Sequence, residues 1–361
     1  MHTFPDIPTP AAVVDLDRLE ANLRRMQDYV DAHGLGLRPH VKTHKARWLA
    51  EEQVRRGAIG VTVATPVEAE RVGAAAPEVL VAYPALGARG GVLARRASVG
   101  PTLIALDSVV AVEALQRALA ATRAEPVGVL VELDVGMRRC GVRDPDAAVE
   151  IARACGDGVA YRGIMFYPGH IRARVEEQDA ALEALANDLG AAVQRLGDAG
   201  LEPEIVSGGS TPTAYRSHEV PHQTEIRPGT YVFNDRTTAA IGACAWADCA
   251  YTVVATVVST AVPGQAVVDA GSKALSSDTL RADGHGGFGQ LLDRPGVTVA
   301  RMSEEHGVLD LTGTDWRPRV GDRVRIIPNH VCVSVNLHPR LYGVRGERVE
   351  RQWPVEAAGW W

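Results

Sequence analysis

Through the first two thirds of the chain, short apolar runs alternate with stretches in which apolar residues recur every three or four positions, as in an amphipathic helix. The longest predicted helix covers Val175 to Leu196. An earlier helix begins after Asp15 or Asp17, either of which suits an N-cap, and ends at Gly34. The apolar face of the longer helix comprises Val175, Leu182, Leu185, Leu189, Val193 and Leu196, and that of the earlier one Leu16, Leu19, Leu23, Met26 and Val30.

The apolar runs between the helices are short and bounded by polar or turn residues, so each is predicted as a buried strand. About eight such strand–helix units over roughly 220 residues favour a closed parallel (β/α)8 barrel. An open doubly wound sheet fits the same alternation, because periodicity does not count strands. The predicted strands are Ala11–Val14, Leu37–Lys42, Ile59–Ala64, Val79–Tyr83, Thr102–Ala105, Val127–Leu133, Val159–Phe166 and Ile205–Ser207.

The pattern changes at about Ala239, beyond which helical spacing is scarce and short extended runs are separated by turn residues. This predicts a barrel domain over 16–238 followed by a β-rich domain over 239–361, into which residues 1–15 pair through the first strand. The strands of the second domain are predicted at Val253–Val262, Ala266–Ala270, Val297–Met302, Gly307–Leu311 and Arg323–Pro328.

Composition excludes several classes of protein. The chain has 361 residues, of which 46% are hydrophobic and 23% charged, as in an ordinary globular protein and unlike a disordered or collagen-like one. A formal net charge of −6 gives no basic field for nucleic acid. The five cysteines form no CxxC pair, which argues against a redox dithiol or a zinc ribbon. We find no leader-like segment and no apolar run long enough for a membrane span, so a cytoplasmic protein with no membrane partner is expected.

The densest chemical cluster is Arg38–Lys45, at the end of the first predicted barrel strand. In such barrels the carboxyl ends of the strands hold the active site. A lysine facing a protected cavity there has a lowered pKa and can form a Schiff base. On composition alone, a basic surface loop is the commoner interpretation of such a cluster.

Three further motifs follow predicted strands and are ambiguous taken singly. Arg139, near the end of Glu132–Val142, suits either an anionic ligand or a structural ion pair. Tyr167, beside Pro168 and Gly169, is as often a packing residue as a functional one. The stretch Ser207–Thr213 contains two glycines that let the backbone approach an anion, although the same residues describe any flexible turn.

His330 and Cys332 are two positions apart in a segment predicted to be an extended strand, Pro328–Leu337, which places both side chains on one face. An imidazole and a thiolate so placed can share one metal ion. An isolated His-x-Cys is a poor metal signal by itself. A thiolate ligand favours zinc over manganese or magnesium, because soft donors select softer ions.

From Thr9 to Trp353 the chain resembles the D-threonine aldolase and D-serine dehydratase family. The resemblance rests on the motif from Thr9 to Ala11, the Arg-Pro-His-Val-Lys-Thr-His-Lys block and the later motifs taken together. The resemblance implies the alanine-racemase-type fold (fold type III), in which a pyridoxal 5'-phosphate (PLP)-binding (β/α)8 barrel precedes a C-terminal β-rich domain. It also implies a homodimer.

The same resemblance implies roles for individual residues. Lys42 becomes the Schiff-base lysine and Arg139 the partner of the cofactor's phenolic oxygen, while His330 and Cys332 become ligands of a divalent metal. The roles of Arg227, His170 and His306 stay open. The residues implied to line PLP or cradle its phosphate are Tyr167, Gly208, Gly209, Ser210, Thr211, Gly229, Thr230 and Tyr231.

The reaction implied is that of a PLP- and metal-dependent lyase on a small D-configured β-hydroxy amino acid. Retro-aldol cleavage to glycine and an aldehyde is the first expectation. The alternative is dehydration of D-serine or D-3-hydroxyaspartate to a keto acid and ammonia, which Cys332 favours, whereas Trp353–Val355 resembles the aldolases. An amino-acid racemase is a weaker alternative, because racemisation has no use for a metal.

Overall fold

The computed structural model of the protein describes residues 6–120, 125–280 and 286–359. The chain divides into two compact units. One is Arg25–Gly229, and the other combines the residues up to Arg24 with Thr230–Gly359. The second unit is therefore assembled from two separated stretches of sequence. The domain boundary between residues 238 and 239 stays a prediction, and the observed division falls at Gly229.

Eight parallel strands form the sheet of the Arg25–Gly229 unit. The sheet closes on itself because a parallel bridge joins His40, just beyond its first strand, to Thr62 in the next. The predicted (β/α)8 barrel is thereby confirmed. After β1 (Ala11–Asp15), which belongs to the other unit, the barrel strands are β2 (Gly36–Leu37), β3 (Val61–Val63), β4 (Val79–Val81), β5 (Thr102–Leu106), β6 (Val127–Leu133), β7 (Val159–Phe166), β8 (Ile205–Gly208) and β9 (Glu225–Ile226).

The helices begin where the sequence provides caps. Asp15 accepts the Arg18 N–H at 3.0 Å at the start of the first helix, and Thr65 accepts the Glu68 N–H at 3.2 Å. Within the part of the chain that the structure describes, no helix is both long and apolar enough to cross a bilayer. The helices up to Asp198 are α1 (Leu16–Ala32), α2 (Arg47–Arg55), α3 (Pro66–Arg71), α4 (Ala88–Ala97), α5 (Val109–Leu119), α6 (Pro145–Ala154) and α7 (Asp179–Asp198).

The barrel strands are buried along most of their length, as expected for parallel strands covered on both faces. Every residue of β6 is buried, and the ends of β6 and β7 agree with the prediction residue for residue. The apolar cluster among the strands contains Leu80, Leu103, Ala105, Leu130, Met165 and Ile205.

The first barrel strand is much shorter than predicted. The expectation of a strand over Leu37–Lys42 is wrong beyond Leu37, because Val41–Thr43 forms a 3-10 turn. The N–H groups of His44 and Lys45 both donate to the Val41 carbonyl, at 3.1 and 2.7 Å. We call Val41–Thr43 the lysine turn.

The other unit contains a nine-stranded sheet with β1 in its interior, antiparallel to one neighbour and parallel to the other. Ala11 lies opposite Val254, and Val13 lies opposite Tyr342. With β1, its strands are β10 (Tyr251–Ser259), β11 (Gln265–Val268), β12 (Gly289–Leu291), β13 (Val299–Met302), β14 (Gly307–Asp310), β15 (Arg323–Pro328), β16 (Arg340–Arg345) and β17 (Arg348–Pro354).

Three short helices complete this unit: α8 (Arg236–Ala240), α9 (Ser272–Leu275) and α10 (Val331–Leu337). The last of them corrects the predicted extended strand at His330 and Cys332. His330 is the extended residue before the helix, and Cys332 lies in its first turn. The cause is distant in sequence, because the Asp235 carboxylate accepts the Val331 N–H at 3.1 Å and so starts the helix there.

A buried ion pair links the first and last barrel strands, and its loss should destabilise the protein. Two side-chain nitrogens of Arg38 donate to the two carboxylate oxygens of Glu225, at 2.8 and 2.9 Å, and both side chains are almost fully buried. Glu225→Ala should lower the free energy of unfolding by about 3 kcal/mol, because the buried Arg38 loses its two-nitrogen partner and keeps only the Glu78 carboxylate, at 2.9 Å. Urea denaturation measures the change.

The matched control is Glu204→Ala, which breaks the exposed Arg162–Glu204 pair at 2.7 Å. This variant should change stability by at most about 1 kcal/mol. Equal effects of the two variants would contradict the structural role of the buried pair.

Candidate active site

A cavity of about 360 Å³ lies at the carboxyl ends of the barrel strands. Segments that end or follow β2, β3, β4, β6, β7 and β9 contribute to its wall, which is where barrel enzymes hold their active sites. The lining residues are His40, Lys42, Ala64, Ala82, Tyr83, Pro84, Glu132, Arg139, Cys140, Met165, Tyr167 and Arg227.

Lys42 reaches this cavity from the lysine turn. The side chain is half-buried, between the buried residues Val41 and Thr43. Its Nζ lies 5.8 Å from the centroid of the Tyr167 ring. The neighbouring Lys45 is instead engaged in a buried ion pair, with its Nζ 3.3 Å from the Glu68 carboxylate. Lys42 is therefore the lysine of the Arg38–Lys45 cluster that lines the cavity.

Arg139 and Glu132 lie on the same wall as Tyr167. The Arg139 guanidinium is 5.2 Å from the Tyr167 ring centroid, so the ring lies within reach of two cations. Arg139 is also 4.0 Å from the Glu132 carboxylate. Burial raises the pKa of Glu132, and the positive charge of Arg139 opposes that rise.

Two buried side chains at the cavity carry polar atoms without a hydrogen-bond partner, His40 Nδ1 and Arg227 Nε. Burial lowers the pKa of His40 well below its usual value, and the positive charges of Lys42, Arg227 and Arg139 lower it further. Burial also lowers the pKa of Arg227, to about 10, so the guanidinium keeps its charge at neutral pH. One of its terminal nitrogens donates to the Phe166 carbonyl at 2.6 Å, and the Nε–H is left over.

Gly208–Thr211, which we call the glycine loop, joins β8 to a 3-10 helix at Thr211–Glu219. A side chain at Gly208 would overlap the Phe166 ring, and Gly209 has a φ of +81°. Both positions therefore need glycine. The Ser210 hydroxyl lies 3.1 Å from that of Thr213.

Gly229 is a second point of close backbone approach. A Cβ there would lie 2.8 Å from the Thr43 hydroxyl and 2.9 Å from the His40 carbonyl oxygen, so a side chain would push the lysine turn away. Among the predicted cofactor residues, Lys42, Arg139 and Tyr167 line one cavity, whereas the glycine loop and Gly229 are outside its lining.

The remaining predicted residues lie elsewhere. Thr230 is in the other unit, with its hydroxyl 3.8 Å from the Cys332 sulfur, and Tyr231 beside it is buried. His170 and His306 are both exposed, and neither lines the cavity.

His330 and Cys332 are held together with Asp235. The His330 Nδ1 lies 3.1 Å from the Asp235 carboxylate. The negative charge of the Cys332 thiolate, and then that of Asp235, raise the pKa of His330 well above its usual value, against the opposing effect of burial. Within the three described ranges, no group of three or more His, Cys, Asp or Glu side chains is arranged to hold a metal ion.

Sequence reasoning assigned no role to His40, Glu132 or Asp235. For two of these residues, Glu132 and Asp235, the sequence contains a pattern that indicates a role. Glu132 is a charged residue inside an apolar strand, and such residues are seldom buried without a partner. Asp235 precedes Arg-Thr-Thr as an N-cap would, and its carboxylate does accept the Thr238 N–H at 2.9 Å. The partner-less nitrogen of His40 has no sequence signature.

Comparison with known families matches residues 14–237 to the N-terminal domain of alanine racemase and residues 250–344 to a serine dehydratase-type domain. The chain is 36% identical over 375 residues to D-threo-3-hydroxyaspartate dehydratase of Delftia sp. strain HT23, which covers 97% of this chain and 98% of that one.

Solved structures agree with this match. The crystal structure of D-threonine aldolase from Filomicrobium marinum has a TM-score of 0.91 at 34% identity, covering 99% of this chain and 97% of that one. A cysteine-to-alanine mutant of D-threo-3-hydroxyaspartate dehydratase, in the metal-free form, has a TM-score of 0.90 at 34% identity over all of both chains. A second solved mutant of that dehydratase replaces a histidine two positions before the cysteine.

The burial of His40 predicts a pH effect. Because the folded-state pKa is lowered, the unfolded chain takes up a proton below about pH 6.5 that the folded chain does not, and His40 then reduces stability as pH falls. Nitrogen NMR of the imidazole should therefore show His40 still neutral at the pH where an ordinary histidine is half protonated. Titration with a midpoint at the ordinary histidine pKa would contradict this environment.

Proposed function

The chain belongs to the D-threonine aldolase and D-serine dehydratase-like family, and on that premise we propose that it is a PLP- and divalent-metal-dependent lyase of D-configured β-hydroxy amino acids. The observation that carries the proposal is Lys42, the lysine that lines the cavity at the carboxyl ends of the barrel strands. Its amine is the nucleophile that a PLP enzyme requires.

The cavity residues fit PLP in shape and charge. A cavity with three cationic side chains, Lys42, Arg139 and Arg227, suits a ligand that carries a phosphate and a phenolic oxygen. The unpartnered N–H of Arg227 and the unpartnered Nδ1 of His40 both call for a polar ligand at this place. When bound, PLP withdraws electrons from the substrate's Cα.

Each cavity residue then has a task that follows from its contacts. Lys42 would hold the cofactor through its amine. Arg139 would donate to the phenolic oxygen, and the Tyr167 ring, with its centroid 5.8 Å from Lys42 Nζ and 5.2 Å from the Arg139 guanidinium, would pack beside both cations. Arg227, fixed through the Phe166 carbonyl, would direct its Nε–H toward a ring acceptor.

The glycine loop and Gly229 are the proposed phosphate cradle. Gly208 and Gly209 have no room or conformation for a side chain, so the loop keeps a bare backbone of the kind whose N–H groups bind anions. The approach of Gly229 to the lysine turn supports a place beside Lys42 for that loop. The Thr230 hydroxyl lies 3.8 Å from the Cys332 sulfur, which favours a role beside the metal-ligand pair for this residue.

His330 and Cys332 fit a zinc ion. The Asp235 carboxylate accepts from His330 Nδ1, which leaves Nε2 as the ligand atom, and such a carboxylate partner fixes the ring of a metal-binding histidine. Two protein ligands leave two of zinc's four positions open, one more than in the usual catalytic site with three protein ligands, and zinc there would supply a Lewis acid for a hydroxyl. Manganese and magnesium are poorer matches for a thiolate.

Retro-aldol cleavage to glycine and an aldehyde is the first candidate reaction. Dehydration to a keto acid and ammonia is the second. The observation that favours it is the spacing of His330 and Cys332, which equals that of the histidine and cysteine mutated in the dehydratase. Both reactions use the same residues of this chain.

Product analysis tests the proposal. With PLP and zinc, the protein should convert D-threonine or D-threo-3-hydroxyaspartate, and not the L-isomers. Glycine with an aldehyde identifies the aldolase, and ammonia with a keto acid identifies the dehydratase. Lys42→Arg should lose at least 10³-fold in kcat, because arginine cannot form the Schiff base. The matched Lys45→Arg keeps its charge beside Glu68 and should stay active.

Borohydride reduction followed by peptide mass spectrometry locates the modified lysine in the same samples. PLP trapped on Lys45 would overturn the assignment. Release of neither product set, with free interconversion of D- and L-amino acids, would overturn the lyase and indicate a racemase.

Removal of the Cys332 thiolate should abolish metal binding without affecting PLP binding. Cys332→Ala should lose zinc by elemental analysis and lose turnover, yet keep the PLP absorbance, because the cavity around Lys42 is unchanged. Cys155→Ala, a half-buried cysteine in the barrel unit, is the control and should keep both. Cys332→Asp should shift the metal preference toward manganese or magnesium. Full activity of the parent after exhaustive chelation, verified metal-free, would contradict the metal's role.

A further inference from the structure

A second cavity, of about 430 Å³, lies at the amino ends of the barrel strands, the end opposite to Lys42. Pro77 and Pro101, which precede β4 and β5, form part of its wall, and residues of α3, of α4 and of the segments that follow these helices form the rest. It shares no lining residue with the cavity of the proposed active site.

The unusual member of this cavity is Arg96, in the last turn of α4, which is only 4% exposed. Its Nε is buried without a hydrogen-bond partner. Across the described residues, no carboxylate lies within ion-pair distance of its guanidinium. A buried arginine is normally paired, because removing its charge from water is costly.

The surrounding backbone leaves space for this guanidinium. A Cβ at Gly100 would lie 2.9 Å from one of its terminal nitrogens, and a Cβ at Gly73 would lie 3.6 Å from its Nε. The Gly100 loop is itself anchored, since its carbonyl accepts the Thr102 hydroxyl at 2.9 Å. The arginine therefore sits between two fixed loops.

The nearest acid on the cavity wall is already engaged. Glu70 accepts from Arg95, on the exposed side of α4, at 2.9 Å. Arg95 is largely exposed and neutralises that carboxylate, so the positive charge of Arg96 is uncompensated within the cavity.

We propose that Arg96 binds a small oxyanion in this cavity. A guanidinium matches a carboxylate or a phosphate with paired N–H donors, and either anion would supply the missing partner. The other walls are mainly alanine, valine and proline, so the ligand would carry a short apolar body behind its anionic group.

Isothermal titration of the PLP-saturated holoenzyme tests this, with inorganic phosphate and butyrate as the two probes. The parent should bind at least one of them saturably. Arg96→Met should weaken that binding at least tenfold, because methionine keeps the apolar stem without the charge. Arg117→Met, at an exposed arginine of α5 that lines neither cavity, should change it less than twofold. Preference for butyrate would identify a carboxylate ligand, and preference for phosphate a phosphorylated one.

Gly100→Ala gives a second variant should Arg96→Met fail to fold. Its Cβ would displace the guanidinium and should likewise weaken binding. Gly91 lies on α4, as Arg96 does, and has open space around it, so Gly91→Ala should not weaken anion binding. Unchanged anion affinity in folded Arg96→Met or Gly100→Ala, or no saturable binding to the parent, would overturn the proposal.

The alternative occupant is an acidic side chain of a second copy of the chain. Light scattering distinguishes this occupant from a small oxyanion, because it measures the mass of the particle. A fall in particle mass in Arg96→Met but not in Arg117→Met, with no anion bound by the parent, would overturn the small-oxyanion proposal in favour of a subunit contact.

Discussion

One buried carboxylate, Glu225, holds three separate segments of the proposed active site in place. It accepts from two nitrogens of Arg38 on the β2 side and from the Ser207 hydroxyl in β8, at 2.6 to 2.9 Å. Each of these residues stands just before a functional segment: Arg38 before the lysine turn, Ser207 before the glycine loop, and Glu225 before Arg227. A fork with both oxygens engaged has little freedom of position. These contacts of Glu225 therefore fix the distances between the lysine turn, Arg227 and the glycine loop. The three segments follow different strands, so no single strand could fix those distances.

The fold could be predicted wherever local pattern and tertiary structure agree. β6 and β7 are long, apolar and buried, and their ends follow from sequence alone. β9 has only two residues, one of them the charged Glu225, so the sequence has no apolar run from which this strand could be predicted. The Val331–Leu337 segment alternates like a strand but forms a helix, because Asp235, far away in sequence, accepts its first N–H.

The site was predicted in part for a similar reason. Arg139 and Tyr167 follow strands that periodicity locates, Lys42 follows a strand that it predicts too long, and the closed barrel brings these strand ends together. The electrostatic state of the cavity depends instead on burial. Burial, and then the positive charges of three neighbouring side chains, lower the pKa of His40, whereas burial raises the pKa of Glu132. Such neighbours come from different strands, and their distances cannot be obtained from spacing along the chain.

The position of β1 has a consequence for biosynthesis. Ala11–Asp15 is synthesised before the barrel strands, yet its partners β10 and β16 are synthesised after them. The barrel strands between them pair with one another and can fold during translation, while the first strand stays without a sheet until β10 and β16 have been made. Deleting it from the nascent chain would remove an interior strand from the finished sheet, leaving β10 and β16 with unpaired backbone edges that invite aggregation.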